Sequence, residues 1–343
     1  MSAASRPDKI LIIGPSWVGD MVMAQGLFKL LRAQNPGVTI DVLAPSWTFS
    51  VLGCMPEVAN AIEMPIGHGE LKLMERYRIG KQLRANHYDQ AIVLPNSFKS
   101  ALIPYFARIP LRTGWLGEAR YILLNDHRQL DEQRLPLMIE QYLALGLPKN
   151  VSLPKPYPHP AFTVTKAAEE AALAKHQPLW RGRKVIALGA GAEFGSSKRW
   201  PPDYYAELAN RKIEDGFDVW LFGSPKDRAI TDQVMALTDN RCENLAGRLQ
   251  LSESIALLSL VSGVVTNDSG LMHIAAALQK PLIAIYGSTS PRFTPPLSEQ
   301  AVVLQLQLAC QPCFQRECPL KHHQCMRDIL PQQVADAMTA WSL

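Results

Sequence analysis

Three short stretches of this chain hold residue types at spacings that could do chemistry. The first, Gly14-Pro15-Ser16-Trp17-Val18-Gly19-Asp20, follows the apolar run Ile10–Ile13 and precedes an amphipathic run. Gly14 and Gly19 have phosphate-loop spacing, yet Asp20 and Met21 stand where such a loop carries lysine and then serine or threonine. A carboxylate there repels phosphate. At the positive end of a helix it is instead held ionised, ready to accept a proton as a general base. A simple helix cap is the alternative.

The second stretch, residues 189–202, is glycine-rich and ends in Lys198-Arg199-Trp200-Pro201-Pro202 just before a helix. A cation beside a helix start suits a diphosphate; ordinary solvated lysine and arginine is the plainer account. The third is Asn267-Asp268-Ser269-Gly270, closing an apolar run and opening an alanine-rich helix that carries His273. Gly270 permits close backbone approach, and the first turn's free N–H groups face whatever lies above them. Against that stands a reading in which Asp268 or Ser269 caps the helix and His273 is a packed core histidine.

These loops need elements to position them. Strand-like runs at 9–13, 38–45 and 89–95 alternate with helical stretches near 21–34, 70–86 and 98–107. A region with five prolines, 147–160, interrupts the pattern, since proline lacks the donor that helices and ladders use. Strand-like runs then resume at 184–188, 217–223, 262–268 and 281–287, with helices from 203, near 227–237 and from 270. This alternation predicts an α/β chain of two Rossmann-like domains, 1–150 and 181–343, joined by a linker at 151–180. Their parallel sheets are expected to face an interdomain cleft, because ligands bind at the carboxyl ends of such strands.

The composition, 47% hydrophobic and 19% charged, is that of a globular protein, and no apolar run reaches the length of a membrane span. The first nine residues lack the pattern of a signal peptide, which predicts a cytoplasmic location. Residues 1–165 hold 17 Lys/Arg against 13 Asp/Glu and residues 166–343 hold 18 of each, so the net charge of +4 lies wholly in the first half. That half is expected to meet an anionic partner or to present a solvated basic surface. No dense basic run with interleaved aromatics points to nucleic acid.

The motifs ILIIGPSWVGDMVMAQGL, LPNSFKSAL, RTGWLGEARYILLND, GAEFGSSKRWPPDYYAEL, NLAGRLQL and VTNDSGLMHIAAAL together resemble the ADP-heptose:lipopolysaccharide heptosyltransferases. The likeness runs from about residue 9 to about 300 and is greatest to the branch that adds the second heptose of the inner core. The resemblance implies a GT-B architecture, with the acceptor held by the N-terminal domain and ADP-heptose by the C-terminal one. It also implies inverting transfer without metal or other cofactor. On the matching positions Asp20 is then the base, Lys198 the diphosphate ligand, and Asp268, Ser269, Gly270 and His273 the donor site. Lys99, Arg112 and Arg120 are weaker candidates for the phosphorylated, Kdo-bearing lipopolysaccharide acceptor. Work on that acceptor is expected on the inner face of the inner membrane, where the enzyme would attach peripherally, with closure of the two domains bringing base and donor together.

Other members of the family with a different acceptor fit nearly as well. A nucleotide-dependent oxidoreductase does not, because Gly14-Pro15-Ser16 breaks the glycine pattern it needs. A non-catalytic sugar-nucleotide-binding protein shares the donor loops but has no use for Asp20. The tail adds Cys310, Cys313, Cys318 and Cys325, with His322 and His323 nearby. The C-x2-C start resembles a zinc ligand pair, while the later C-x6-C spacing is wider than in a common zinc knuckle. Structural zinc and plain reduced thiols with a packing role both remain open.

Overall fold

The computed structural model describes residues 7–67 and 69–341. Most of the N-terminal stretch read above for a signal peptide, residues 1–6, lies outside them. The chain divides after Pro160 into two compact units. Within 151–180, residues Lys166–His176 form a helix whose N-cap Thr165 accepts a hydrogen bond from the Ala168 amide.

The first unit is built on six parallel strands: β1 Lys9–Ile13, β2 Thr39–Ala44, β3 Asn60–Glu63, β4 Gln90–Val93, β5 Leu111–Trp115 and β6 Asp126–Arg128. Their order in the sheet is β3-β2-β1-β4-β5-β6. β1 runs between β2 and β4, with Ile12 beside Val42 on one side and Ile92 on the other. A central parallel strand is covered on both faces, so continuous apolar runs such as KILII are favoured over alternation. Leu11, Ile13, Leu43, Ala91 and Val93 bury one face against Ile79, Leu83, Leu102 and Ile103. On the helix Val18–Gln34, Gly26 admits the helix Met138–Leu145. A Cβ at Gly26 would lie 2.9 Å from Ile139 Cδ1.

The second unit repeats the plan with β7 Val185–Gly189, β8 Asp218–Leu221, β9 Glu243–Asn244, β10 Gly263–Asn267, β11 Leu282–Tyr286 and β12 Ala301–Gln305. Again all pairings are parallel, in the order β12-β11-β10-β7-β8-β9. Counted from each unit's first strand this is the same Rossmann order, and its switch point lies between the first and fourth strands. In the first unit that is between β1 and β4, in the second between β7 and β10. Trp200 and Tyr205, both fully buried and stacked edge to face at 4.8 Å, anchor the second core. Pro202 opens the helix Pro202–Glu214 at its first position, where its missing N–H costs nothing.

The strands β3, β5, β6, β9 and β12 were not among the strand-like runs of the sequence. Four of them are sheet edges, where half-exposed residues dilute the apolar signal; β5 begins with exposed Leu111 and half-exposed Arg112.

Candidate active site

At the switch point of the first unit the loops after β1, β2 and β4 enclose a cavity of about 420 Å3. Its wall includes Gly14 to Trp17, Asp20, Pro45, Arg76, Asn96, Lys99 and Tyr142. Gly14 lies under this loop, where a Cβ would come within 2.7 Å of Met21 Cε. Trp47 Nε1 donates to the Ser16 carbonyl at 2.9 Å and ties the loop to the segment after β2.

The helix expected from residue 21 begins at Val18, with Trp17 in the capping position and Asp20 in the first turn. Asp20 is half-buried. It is close enough to the buried Tyr142 that burial first, and the Asp20 charge second, push the phenol well above its usual range. The structure therefore sets Asp20 as a negative charge in the wall of an open cavity, at the positive end of a helix.

Of the three cationic candidates in this unit, only Lys99 lines the cavity. Arg112 stands near the amino end of β5, opposite the strand ends that carry the cavity. It spends its Nε on Leu123 O at 2.7 Å and its Nη1 on Ile109 O at 2.6 Å. Arg120 corrects the expectation more strongly, being wholly buried. Its guanidinium donates to the carbonyls of Pro95, Ser97 and Trp115, to Ser100 Oγ and to Asn96 Oδ1. Burial lowers its pKa to about 10, against the charge of Glu118. Arg120 is thus a clamp inside the 95–100 loop that carries Lys99. An arginine committed in this way has no donor left for an acceptor.

Arg76 was not singled out in the sequence, yet it lines the cavity and is 5% exposed. Two of its nitrogens are fixed by the Leu71 carbonyl at 2.6 Å and the Glu70 carbonyl at 3.1 Å, which sets the direction of the guanidinium. It sits on the helix Leu73–Leu83 among several charged residues, so nothing local distinguished it.

In the second unit, the switch point joins the loop after β7 to the end of β10. Lys198 Nζ meets Asp268 Oδ2 at 2.5 Å, both side chains largely buried. Thr289 Oγ1 donates to the same carboxylate oxygen at 2.5 Å. The Lys198 ammonium also lies 4.8 Å above the Phe194 ring, which Arg316 approaches at 5.6 Å. Asn267 locks the frame: its Nδ2 donates to the carbonyls of Ala190 and Gly191, while its Oδ1 accepts from the Trp200 amide and the Tyr205 hydroxyl.

Ser269 caps the helix Gly270–Ala277 with extended backbone, and Gly270 is its first residue. His273 lies in the same helix, 5% exposed, and burial holds its pKa down at about 4, with Asp268 opposing and Lys198 adding to the shift. It is a neutral imidazole at pH 7, packed behind the ion pair. The structure thus brings Lys198, Asp268, Ser269, Gly270 and His273 to one place and adds Thr289 and Phe194. An ammonium offers three donors, of which Asp268 takes one, so the arrangement can hold an anion while orienting the cation that holds it.

Among the described residues no helix is long and apolar enough to cross a membrane.

Residues 76–324 match the sequence profile of Glycosyltransferase family 9 (heptosyltransferase). The chain is 48% identical over 339 residues to lipopolysaccharide heptosyltransferase 2 of Salmonella typhimurium, covering 96% of this chain and 97% of that one. It is 48% identical to lipooligosaccharide heptosyltransferase 2 of Haemophilus ducreyi, over 96% and 98% of the two chains. The solved structure of E. coli ADP-heptose lipopolysaccharide heptosyltransferase II superposes with a TM-score of 0.88 at 45% identity, covering 97% of this chain and 98% of that one.

Proposed function

The chain belongs to glycosyltransferase family 9, the heptosyltransferases, and from there we propose that it transfers heptose from ADP-L-glycero-β-D-manno-heptose to the first heptose of the lipopolysaccharide inner core. The acceptor is heptosyl-Kdo2-lipid A, and the anomeric carbon is inverted. The similarity to heptosyltransferases named for lipopolysaccharide supports the substrate class. The observation that carries the mechanism is the division of charge: a carboxylate in the cavity of the first unit, a largely buried cation at the matching place in the second.

An acceptor hydroxyl attacks the anomeric carbon of the donor from the face opposite ADP, and Asp20 takes its proton. The bond to the diphosphate breaks, and ADP leaves with the electron pair. Since ADP is a good leaving group, the demand is for charge stabilisation, supplied by Lys198 and the first N–H groups of the helix at Gly270. Asp268, itself held by the Thr289 hydroxyl, keeps Lys198 in place, and neutral His273 adds no charge behind it. Arg76 and Lys99 meet the anionic groups of the acceptor, whose lipid puts the work at the inner face of the inner membrane.

Purified protein incubated with ADP-heptose and heptosyl-Kdo2-lipid A is expected to raise the acceptor mass by one heptose. Transfer to Kdo2-lipid A in place of that acceptor would assign the chain to a different step of the core. No transfer to either would sink the proposal.

A further inference from the structure

The tail of the second unit brings four thiols to one place that the transfer reaction does not use. Cys310, Cys313, Cys318 and Cys325 fall within 16 residues, C-x2-C-x4-C-x6-C. All four line a small cavity of about 20 Å3, with His322 and Gln311 beside them. That volume is about the size of one water or one metal ion. The segment has little regular structure, its helix being only Gln324–Arg327. Lys321 and His323 take left-handed φ values of +57° and +53° on the turn that follows Cys318. Lys321 N donates to Cys318 O at 3.0 Å and closes that turn.

Four cysteines around one cavity of this size make a ligand set, and sulfur ligands select a soft or borderline cation. We propose that Cys310, Cys313, Cys318 and Cys325 form a structural site for a divalent, thiolate-preferring transition metal, zinc in the first instance. Among the described residues no group of three or more His, Cys, Asp or Glu is arranged to hold an ion as the side chains stand. Binding therefore turns the sulfurs inward about their χ1 bonds, onto the small cavity they already line.

The site has a clear structural task. The residues between the cysteines are pinned to the loops of the ion pair: Phe314 N donates to Ser288 O at 2.8 Å, Gln311 Nε2 to Gly287 O at 2.7 Å, and Ser197 N to Arg316 O at 3.1 Å. Ser197 Oγ donates to Gln315 O at 2.5 Å. At Gly195 a Cβ would come within 2.1 Å of the Arg316 carbonyl, so loop and tail touch without a side chain between them. A metal that gathers the cysteines would hold the 310–325 segment as a brace against the loop that presents Lys198. That second step rests on Lys198 serving the donor; metal binding itself does not.

The experiment uses the full chain, prepared without a metal-binding tag or chelator. Elemental analysis is expected to find about one zinc per chain. Cobalt(II) added to the reduced, metal-free protein is expected to give thiolate-to-cobalt absorption and tetrahedral ligand-field bands at one equivalent. Cys318→Ser and Cys325→Ser should lose the metal and the bands, whereas Cys54→Ser, in the first unit, should keep both. Chelation should lower Tm, and weaken ADP binding if the brace acts on Lys198; unchanged ADP binding with metal loss would remove only the brace. Fully reduced wild-type protein with no zinc and no cobalt bands overturns the site, as do native disulfides among the four cysteines. Should the serine variants fail to fold, the wild-type cobalt titration decides alone.

Discussion

The two units share a strand order and a switch point but end their first strands in opposite charge. After β1 the chain makes a short loop and reaches Asp20 in the first turn of a helix, in the wall of an open cavity. After β7 it makes a longer loop and reaches Lys198, whose ammonium is already paired with Asp268 and stacked on Phe194. One frame therefore yields a proton acceptor in one unit and an anion holder in the other. The fold supplies only the place, and the loop residue decides the chemistry.

Removing the charge at Asp20 tests this contrast most severely. Asp20→Asn keeps the shape, removes the charge and leaves the cap position, held by Trp17, untouched. Folding and ADP-heptose affinity should stay near normal while single-turnover transfer falls by roughly 10²–10⁴-fold. Turnover within a few-fold of wild type would reduce Asp20 to a structural residue.

Arg120 gives the next largest effect, on stability rather than chemistry. Arg120→Met strips donors from the buried carbonyls of Pro95, Ser97 and Trp115, at roughly 1–3 kcal/mol for each acceptor left unpaired. Chemical denaturation should show a loss of several kcal/mol; a normal midpoint would mean that the 95–100 loop does not depend on it.

His273 tests the second unit through pH. Its pKa is depressed in the fold to about 4 from an ordinary 6.5, so the unfolded chain takes up the proton first as pH falls. Nothing is lost above pH 6.5, and stability declines between about 6.5 and 4 by about 3 kcal/mol in all. His273→Gln should flatten that part of the stability–pH curve. An unchanged slope would place the titrating group elsewhere.

The smallest expected effect is at Lys198. Lys198→Ala should weaken ADP and ADP-heptose binding by roughly 1.5–3 kcal/mol, the worth of a charge-assisted hydrogen bond. It also leaves Asp268 without its cation, so the Asp268→Asn, Lys198→Ala double variant should recover part of any lost stability. Calorimetry showing unchanged ADP affinity would take Lys198 out of the donor site.

The amino-acid sequence by itself determined the central strands β1, β2, β4, β7, β8, β10 and β11, because strands buried on both faces must be continuously apolar and that composition is local. It also marked Asp20, Lys198 and the Asn267–Gly270 turn, since strand–loop–helix junctions carry their glycines and charges in one short stretch. Tertiary structure alone decided which cations could meet a ligand. Arg76, Lys99, Arg112 and Arg120 are alike as residues, yet Arg76 and Lys99 line the cavity, Arg112 lies at the wrong end of β5, and Arg120 is sealed inside the 95–100 loop. The edge strands were hidden because half-exposed residues dilute their apolar signal, and Thr289 because its role comes from a partner distant in sequence. A guanidinium's burial and hydrogen-bond partners belong to the packed surroundings, not to the residue that bears it.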